Sequence, residues 1–293
     1  MPIQIIRIAS LAIIVFVFNF LMPLKNISVV SETQKNKQTE TNKKLNLSQI
    51  NIEAESACVF DIAQNKFLFE LNSEKPMPLA SLTKLMTAVT AKENMLETSK
   101  IEISKEAVTQ EGDSGLKIGE TILLKKLLPI MLASSSNDAA FAIAASLKIN
   151  TETNEDEFVK LMNKKAGELN FSSMHFSNST GLDVSETQAG AYGSCKDVAG
   201  LMKYILSAHT NLLEPTEKQW VYLDDGRKFE NTNKLLSKLP SFIGGKTGAS
   251  DLAGGNLTVV LDKGLNHPLI ITVLGSTIEG RFKDTETLLT KIR

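Results

Sequence analysis

The chain is expected to fold as one α+β domain whose antiparallel sheet draws strands from both ends of the sequence. Three observations predict this. Strand-like apolar runs occupy residues 57–70 and return at 257–261 and 269–274. Between them, apolar residues recur with helical spacing. A last helical segment, 281–293, follows the second set of strands. Strands, helices and strands again is the order of a sheet with a helical region inserted into it.

Each element has its own signal. ACVFDI (57–62) and KFLFE (66–70) flank Ala63-Gln64-Asn65 and read as an antiparallel hairpin. Pro76 and Pro78 lack the amide a further strand needs, so they are expected to end the sheet and set up a helix start. From Ser81 the period changes. Leu82, Leu85, Met86 and Val89 form the single stripe of an amphipathic helix packed on a core. Further helices are predicted at 121–132 (kinked or broken at Pro129), 138–147, 155–169 and 194–207. After Trp220 strands resume, with a hairpin turn at Tyr222-Leu223-Asp224-Asp225-Gly226. There is no internal repeat.

Composition removes several functions. Of 293 residues, 42% are apolar and 22% charged, the proportions of an ordinary globular chain. A net charge of −1 gives no attraction for a polyanion, so nucleic acid is not an expected partner. His175, His209 and His267 lie in unrelated contexts, and neither a metal nor another cofactor is indicated. Cys58 and Cys195 form no CxxC pair. Because Cys58 sits in an apolar run, a buried free thiol is expected in preference to a disulfide.

The N-terminus reads as an export element. Arg7 precedes seventeen uncharged residues, 8–24, and Lys25 closes the run. That is longer than many signal-peptide cores and short of the ~20 residues a spanning helix prefers. Residues 1–24 are therefore a signal peptide or an N-terminal membrane anchor, and no A-x-A site decides between them. No cysteine follows the run, so lipid modification is not indicated. The tract 31–48 has only Leu45 and Leu47 as apolar residues and cannot bury enough surface to order itself. Residues 25–50 are read as a disordered polar linker, and 51–293 as the folded domain. An extracytoplasmic location follows from either fate of the N-terminus.

Three short fragments carry the chemistry. In Ser81-Leu82-Thr83-Lys84 the hydroxyl and amine fall on one helical face, about 5–6 Å apart at Cβ. A serine needs a neighbouring base to become a nucleophile, and a lysine is one once desolvation lowers its pKa. Ser81 also opens its helix, where a free N–H is a natural oxyanion donor. A second Ser-x-x-Lys, Ser114–Lys117, lies among Gly112, Gly115 and Gly119; a loop offers no shared face, so no role is assigned to it. Ser135-Ser136-Asn137 stands between two helical runs. By residue type it reads first as a helix N-cap, and second as a proton relay at Ser135 with a substrate-gripping amide at Asn137. Gly244-Gly245-Lys246-Thr247-Gly248 is not a phosphate loop, because Pro240 occupies the position where that motif requires glycine. It reads instead as an edge strand along which a peptide can lie, with Lys246 and Thr247 facing a carboxylate.

The ordered set resembles the penicillin-recognising serine D-alanyl-D-alanine carboxypeptidases, the low-molecular-mass penicillin-binding proteins, for which S-x-x-K and K-T-G are characteristic. The segments PLASLTKLMTA, ASSSNDAA, FVKLMNKKAGELNFSSMHFSNSTGLD, GAYGSCKDVAGLM and GGKTGASDLAGGNL extend the likeness over residues 54–293. It implies a single β-lactamase/transpeptidase-like domain that removes the terminal D-alanine of peptidoglycan stem peptides through an acyl-enzyme, and that β-lactam antibiotics inhibit. In that resemblance Ser81 is acylated, Lys84 is the base and Ser135 passes a proton. Asn137 binds the peptide amide, and Lys246 and Thr247, with Arg281 assisting, hold the terminal carboxylate. The N–H groups of Ser81 and Ala249, the latter just past Gly248, form the oxyanion hole.

Departures from the family pattern are Ala249 where relatives often carry a bulkier residue, Ser136 where they commonly have glycine, and no sequence for a C-terminal β domain and tail anchor. A D,D-endopeptidase would use the same residues. A class A β-lactamase would need a glutamate where Ala166 stands, three residues before Leu169-Asn170. A non-catalytic muropeptide-binding protein would not need the complete set.

Overall fold

The first strand of the predicted hairpin is buried at all six positions, which only an interior strand covered on both faces can be. The computed structural model, which describes residues 50–292 except 113, 150, 151, 154, 240 and 265, shows the cover. In chain order, β1 (Ser56–Asp61) and β2 (Lys66–Leu71) form the hairpin. Strand β3 (Met77–Pro78) and a 3-10 turn (Ala80–Leu82) lead into α1 (Thr83–Asn94). The inserted region comprises β4 (Lys100–Glu102), α2 (Lys105–Val108), β5 (Thr121–Leu123), α3 (Leu124–Ala133), α4 (Asn137–Ala145), β6 (Lys148–Ile149), β7 (Glu152–Thr153) and α5 (Glu155–Glu168). It continues through β8 (His175–Phe176), β9 (Ala191–Gly193) and α6 (Cys195–Ala208) to the hairpin β10 (Trp220–Tyr222) and β11 (Lys228–Glu230). Three long strands, β12 (Phe242–Ser250), β13 (Gly254–Asp262) and β14 (Pro268–Ser276), precede α7 (Gly280–Ile292).

The main sheet runs β12-β13-β14-β1-β2, antiparallel throughout, and so joins the two ends of the folded chain as the sequence predicts. Period-two alternation divides the core. Cys58 and Phe60 face the helical region, while Ala57 and Val59 face a second cluster with Phe282, Leu288 and Leu289 of α7. The buried Asp284 of α7 accepts from the amides of Glu53 and Ala54 and from Ser276 Oγ, fixing where the domain starts. The predicted signal or anchor and the linker, except Ile50, lie outside the described residues. Among the described residues no helix is long and apolar enough to cross a membrane.

Four local expectations need correction. Pro78 does take part in a strand, but β3 is the outer strand of the three-stranded sheet β3-β9-β8, where a missing donor is tolerated. Residues Thr121–Leu123 pair with β4 instead of beginning a helix. Of the two outcomes expected at Pro129 the break does not occur: helix α3 continues through it, held by buried Leu127, Ile130 and Met131 on either side. Finally, Cys58 and Cys195 are buried as expected but are disulfide-bonded, not free. The inward face of β1 meets the first turn of α6, with the two Cα atoms 6.1 Å apart, a distance a disulfide spans without strain. The sequence separation of 137 residues hid that proximity.

Closing so long a loop restricts the unfolded chain, by about 4–5 kcal/mol in the chain-entropy account. The double variant Cys58→Ser, Cys195→Ser is therefore expected to melt roughly 10 °C lower than the wild type in calorimetry. An unchanged midpoint would show that the bridge contributes no stability.

Candidate active site

The segment before Ser81 is unusual in its backbone. Ala80 has φ +46°, a left-handed conformation that a residue with a Cβ seldom adopts. Two glycines of neighbouring segments allow the turn to be packed this closely. A Cβ on Gly181 would stand 2.0 Å from Ala80 O, and one on Gly248 would stand 2.8 Å from Leu79 O. The turn thus sets half-buried Ser81 just ahead of α1, against β12.

Helix α1 differs from the predicted one-sided stripe. Every residue from Thr83 to Ala91 is buried, including Lys84, Thr87 and Thr90, because α3, α4, α5 and α6 surround it. Lys84 is fully buried. Its Nζ lies 2.8 Å from Ser81 Oγ, 2.6 Å from Asn137 Oδ1 and 2.6 Å from the Thr180 carbonyl oxygen. The last two only accept hydrogen bonds, so a neutral amine spends its two N–H groups on them. Its lone pair then faces the Ser81 hydroxyl. Burial lowers the Lys84 pKa to about 7.

The Ser135-Ser136-Asn137 fragment divides its two readings between residues. Ser136 is the N-cap of α4, accepting from the Ala139 amide at 3.0 Å. Ser135, in the left-handed region at φ +64°, instead receives a 2.7 Å hydrogen bond from Lys246 Nζ. Asn137 bonds Lys84 through Oδ1, and its Nδ2 donates to Glu111 O at 2.6 Å. A polar cavity of about 280 Å³ opens beside Ser135 and Asn137. The decoy Ser114 bonds Asp138 at 2.6 Å from a loop, and Lys117 is exposed.

Strand β12 is the free edge of the main sheet and carries Lys246, Thr247, Gly248 and Ala249. Lys246 and Thr247 are buried, whereas Ala249 is exposed. Thr247 Oγ1 shares a hydrogen bond with Thr232 Oγ1, whose amide in turn donates to Ala133 O at 3.1 Å. Arg281, from the first turn of α7, donates to Gly248 O at 2.6 Å and keeps its buried Nε without a partner. The structure places the nine predicted site residues on the Ser81 turn and α1, at the start of α4, on β12 and in the first turn of α7. Sequence reasoning missed Thr180 and Thr232. Thr180 acts through its carbonyl, which no side-chain pattern announces.

The electrostatics of this group are one-sided. Lys84, Lys246 and Arg281 are buried, and none of them has a carboxylate within ion-pair distance among the described residues. Burial, then the charges of Lys84 and Arg281, press the Lys246 pKa well below its usual value. Burial likewise lowers that of Arg281, with Glu279 opposing. An incoming anion would remove the penalty of these unpaired cations.

A serine with a desolvated lysine thus faces a cationic strand. The D-alanyl-D-alanine carboxypeptidase model matches residues 37–277. The chain belongs to this family. Among curated relatives, it is 33% identical over 240 residues to the D-alanyl-D-alanine carboxypeptidase DacF of Bacillus subtilis, covering 78% of this chain and 59% of that protein. It is 31% identical over 214 residues to a D-alanyl-D-alanine endopeptidase of Haemophilus influenzae, covering 71% of this chain and 70% of the relative. The chain thus spans about three fifths of the length of the carboxypeptidase relative. Penicillin-Binding Protein D2 from Listeria monocytogenes, solved in its ampicillin-bound form, superimposes with a TM-score of 0.71 at 32% identity, over 83% of this chain and 98% of that one. The α+β fold class is that of this family.

The Lys84 shift has consequences of known sign. Because its folded pKa lies below the unfolded value, the site costs full stability below pH 7, and the cost declines as pH rises from about 7 to 10.5. The second-order rate of acylation by a penicillin is expected to rise with pH through a midpoint near 7, as Lys84 loses its proton. Stopped-flow labelling across pH 5–9 (roughly the range where the fold is stable) checks this, and a flat profile would exclude Lys84 as the titrating group.

Proposed function

We propose that the protein is a serine D-Ala-D-Ala carboxypeptidase acting on peptidoglycan stem peptides. The observation that carries this reading is buried Lys84 Nζ 2.8 Å from Ser81 Oγ, with Asn137 Oδ1 and Thr180 O as its other partners and the buried Lys246 and Arg281 on the facing side of the site. The substrate's terminal carboxylate meets Lys246, Thr247 and Arg281, and its backbone lies along the β12 edge with Asn137 gripping a peptide amide. Lys84 takes the Ser81 proton as Oγ attacks the penultimate D-alanine carbonyl. The oxyanion forms between the N–H groups of Ser81 and Ala249. As the C–N bond breaks, Ser135, held by Lys246, relays the proton that Lys84 took to the amine of the departing D-alanine. Water then cleaves the ester and restores the Ser81 hydroxyl. No metal or other cofactor enters these steps.

The same chemistry makes β-lactams acylating inhibitors of Ser81. The residue that would supply a β-lactamase's deacylating base is Ala166, which is buried, while Glu168 pairs with Lys164 and Lys165 on the outer face of α5. Wall peptide as substrate and a disulfide both suit a site outside the cytoplasm, in the periplasm or on the outer face of the plasma membrane. Residues 1–24 would deliver the domain there as a cleaved signal or hold it as an anchor.

The endopeptidase reading rests on the Haemophilus influenzae relative of that name. One experiment separates the readings. Wild-type protein is expected to label with a fluorescent penicillin and to release one D-alanine from a peptide ending in D-Ala-D-Ala, seen by mass spectrometry, and Ser81→Ala to do neither. Cleavage confined to cross-linked peptide dimers would make it an endopeptidase, and a folded wild type that does not label would overturn the enzyme reading.

A further inference from the structure

Asn256 lies on β13, outside the three fragments that carry the chemistry, and is fully buried. Its Nδ2 donates to two successive carbonyls, Pro78 O at 2.9 Å and Leu79 O at 3.1 Å. Its Oδ1 accepts from the Gly275 amide at 2.8 Å. The amide can face only one way, since one side meets a donor and the other two acceptors. The register between β13 and β14 shifts around this position, with Gly275 at φ +67°, so Asn256 sits at a bulge and its side chain takes up the Gly275 amide there. On its other side Asn256 pairs with Gly248 of β12, the residue before Ala249.

The two carbonyls it holds belong to the residues just before Ala80, whose left-handed backbone turns the chain into Ser81. One side chain therefore connects the strand next to Ala249 with the turn that presents Ser81. We propose that Asn256 is a positioning residue that sets the gap between the N–H groups of Ser81 and Ala249, an inference that rests on the acyl-enzyme reading above. The Ser81 turn is stapled to the sheet at a fixed height by Asn256, while Gly248 lets the two backbones approach. Oxyanion donors act through such preorganisation, and an error of about 1 Å in placement costs on the order of 100-fold in rate.

The test uses Asn256→Leu, similar in size but unable to form the three hydrogen bonds, measured as purified protein against wild type. The acylation rate by a fluorescent penicillin is expected to fall on the order of 100-fold, while every folded molecule still titrates with one penicillin. The inhibition constant of a peptide boronate, whose tetrahedral serine adduct places an oxygen between the same two N–H groups, is expected to rise by a similar factor, with KM for the peptide little changed. A merely structural role predicts another pattern: a lower titre, with the titrating molecules reacting at the wild-type rate. That result, or unchanged boronate affinity, would overturn the proposal. If Asn256→Leu does not fold, Asn256→Ser, which keeps a small polar group in the strand, carries the same comparison. A wild type that fails to label sinks the enzyme reading itself, whereas a labelled wild type with an equally fast variant overturns only the role of Asn256.

Discussion

Everything at this site depends on Lys84 being dry. An ammonium in water would be protonated at neutral pH and useless as a base. Here its partners among the described residues are oxygens of Ser81, Asn137 and Thr180, and burial brings its pKa to about 7. Dryness in turn requires that α1 be central, wrapped by helices on all sides. The interior position of β1 and the cover of α6 over the sheet serve the same end, since together they close the core against which α1 packs.

The sheet contributes the opposite half of the electrostatics. Its free edge, β12, carries Lys246, which like Arg281 has no carboxylate within ion-pair distance among the described residues, so an anion bound there would meet unpaired positive charge. Buried cationic groups without a carboxylate partner destabilise the protein by themselves. That conflict between stability and function is usual where a ligand supplies the missing charge, and the strained backbones of Ala80 and Ser135 lie in the same place. Disulfide, bulge and glycine contacts hold this arrangement from outside.

Much of the fold was legible because its elements carry strong local periodicity. The hairpin, α5, α6, β13, β14 and α7 fall within a few residues of their predicted spans. The failures share a cause. Local propensity forbids a strand at Pro78 and allows a helix break at Pro129, and tertiary packing outweighs it at both. Helix α1 showed one apolar stripe, yet its threonines and Lys84 were buried by a second layer that periodicity cannot reveal. The apolar run around Cys58 announces its burial but not its bridge to Cys195, because only the fold shows that α6 begins beside it.

By itself the sequence determined which reactive groups exist, and that Ser81 and Lys84 share a face, because helical spacing is a local property. Helix context also separated them from the copy at Ser114. The tertiary structure alone decided what surrounds that pair. Asn137 reaches Lys84 across 53 residues, Thr180 across 96, and Lys246 reaches Ser135 across 111. Desolvation, pKa and the placement of backbone donors arise from contacts at such separations. No local pattern encodes them, since each depends on which segments the core brings together.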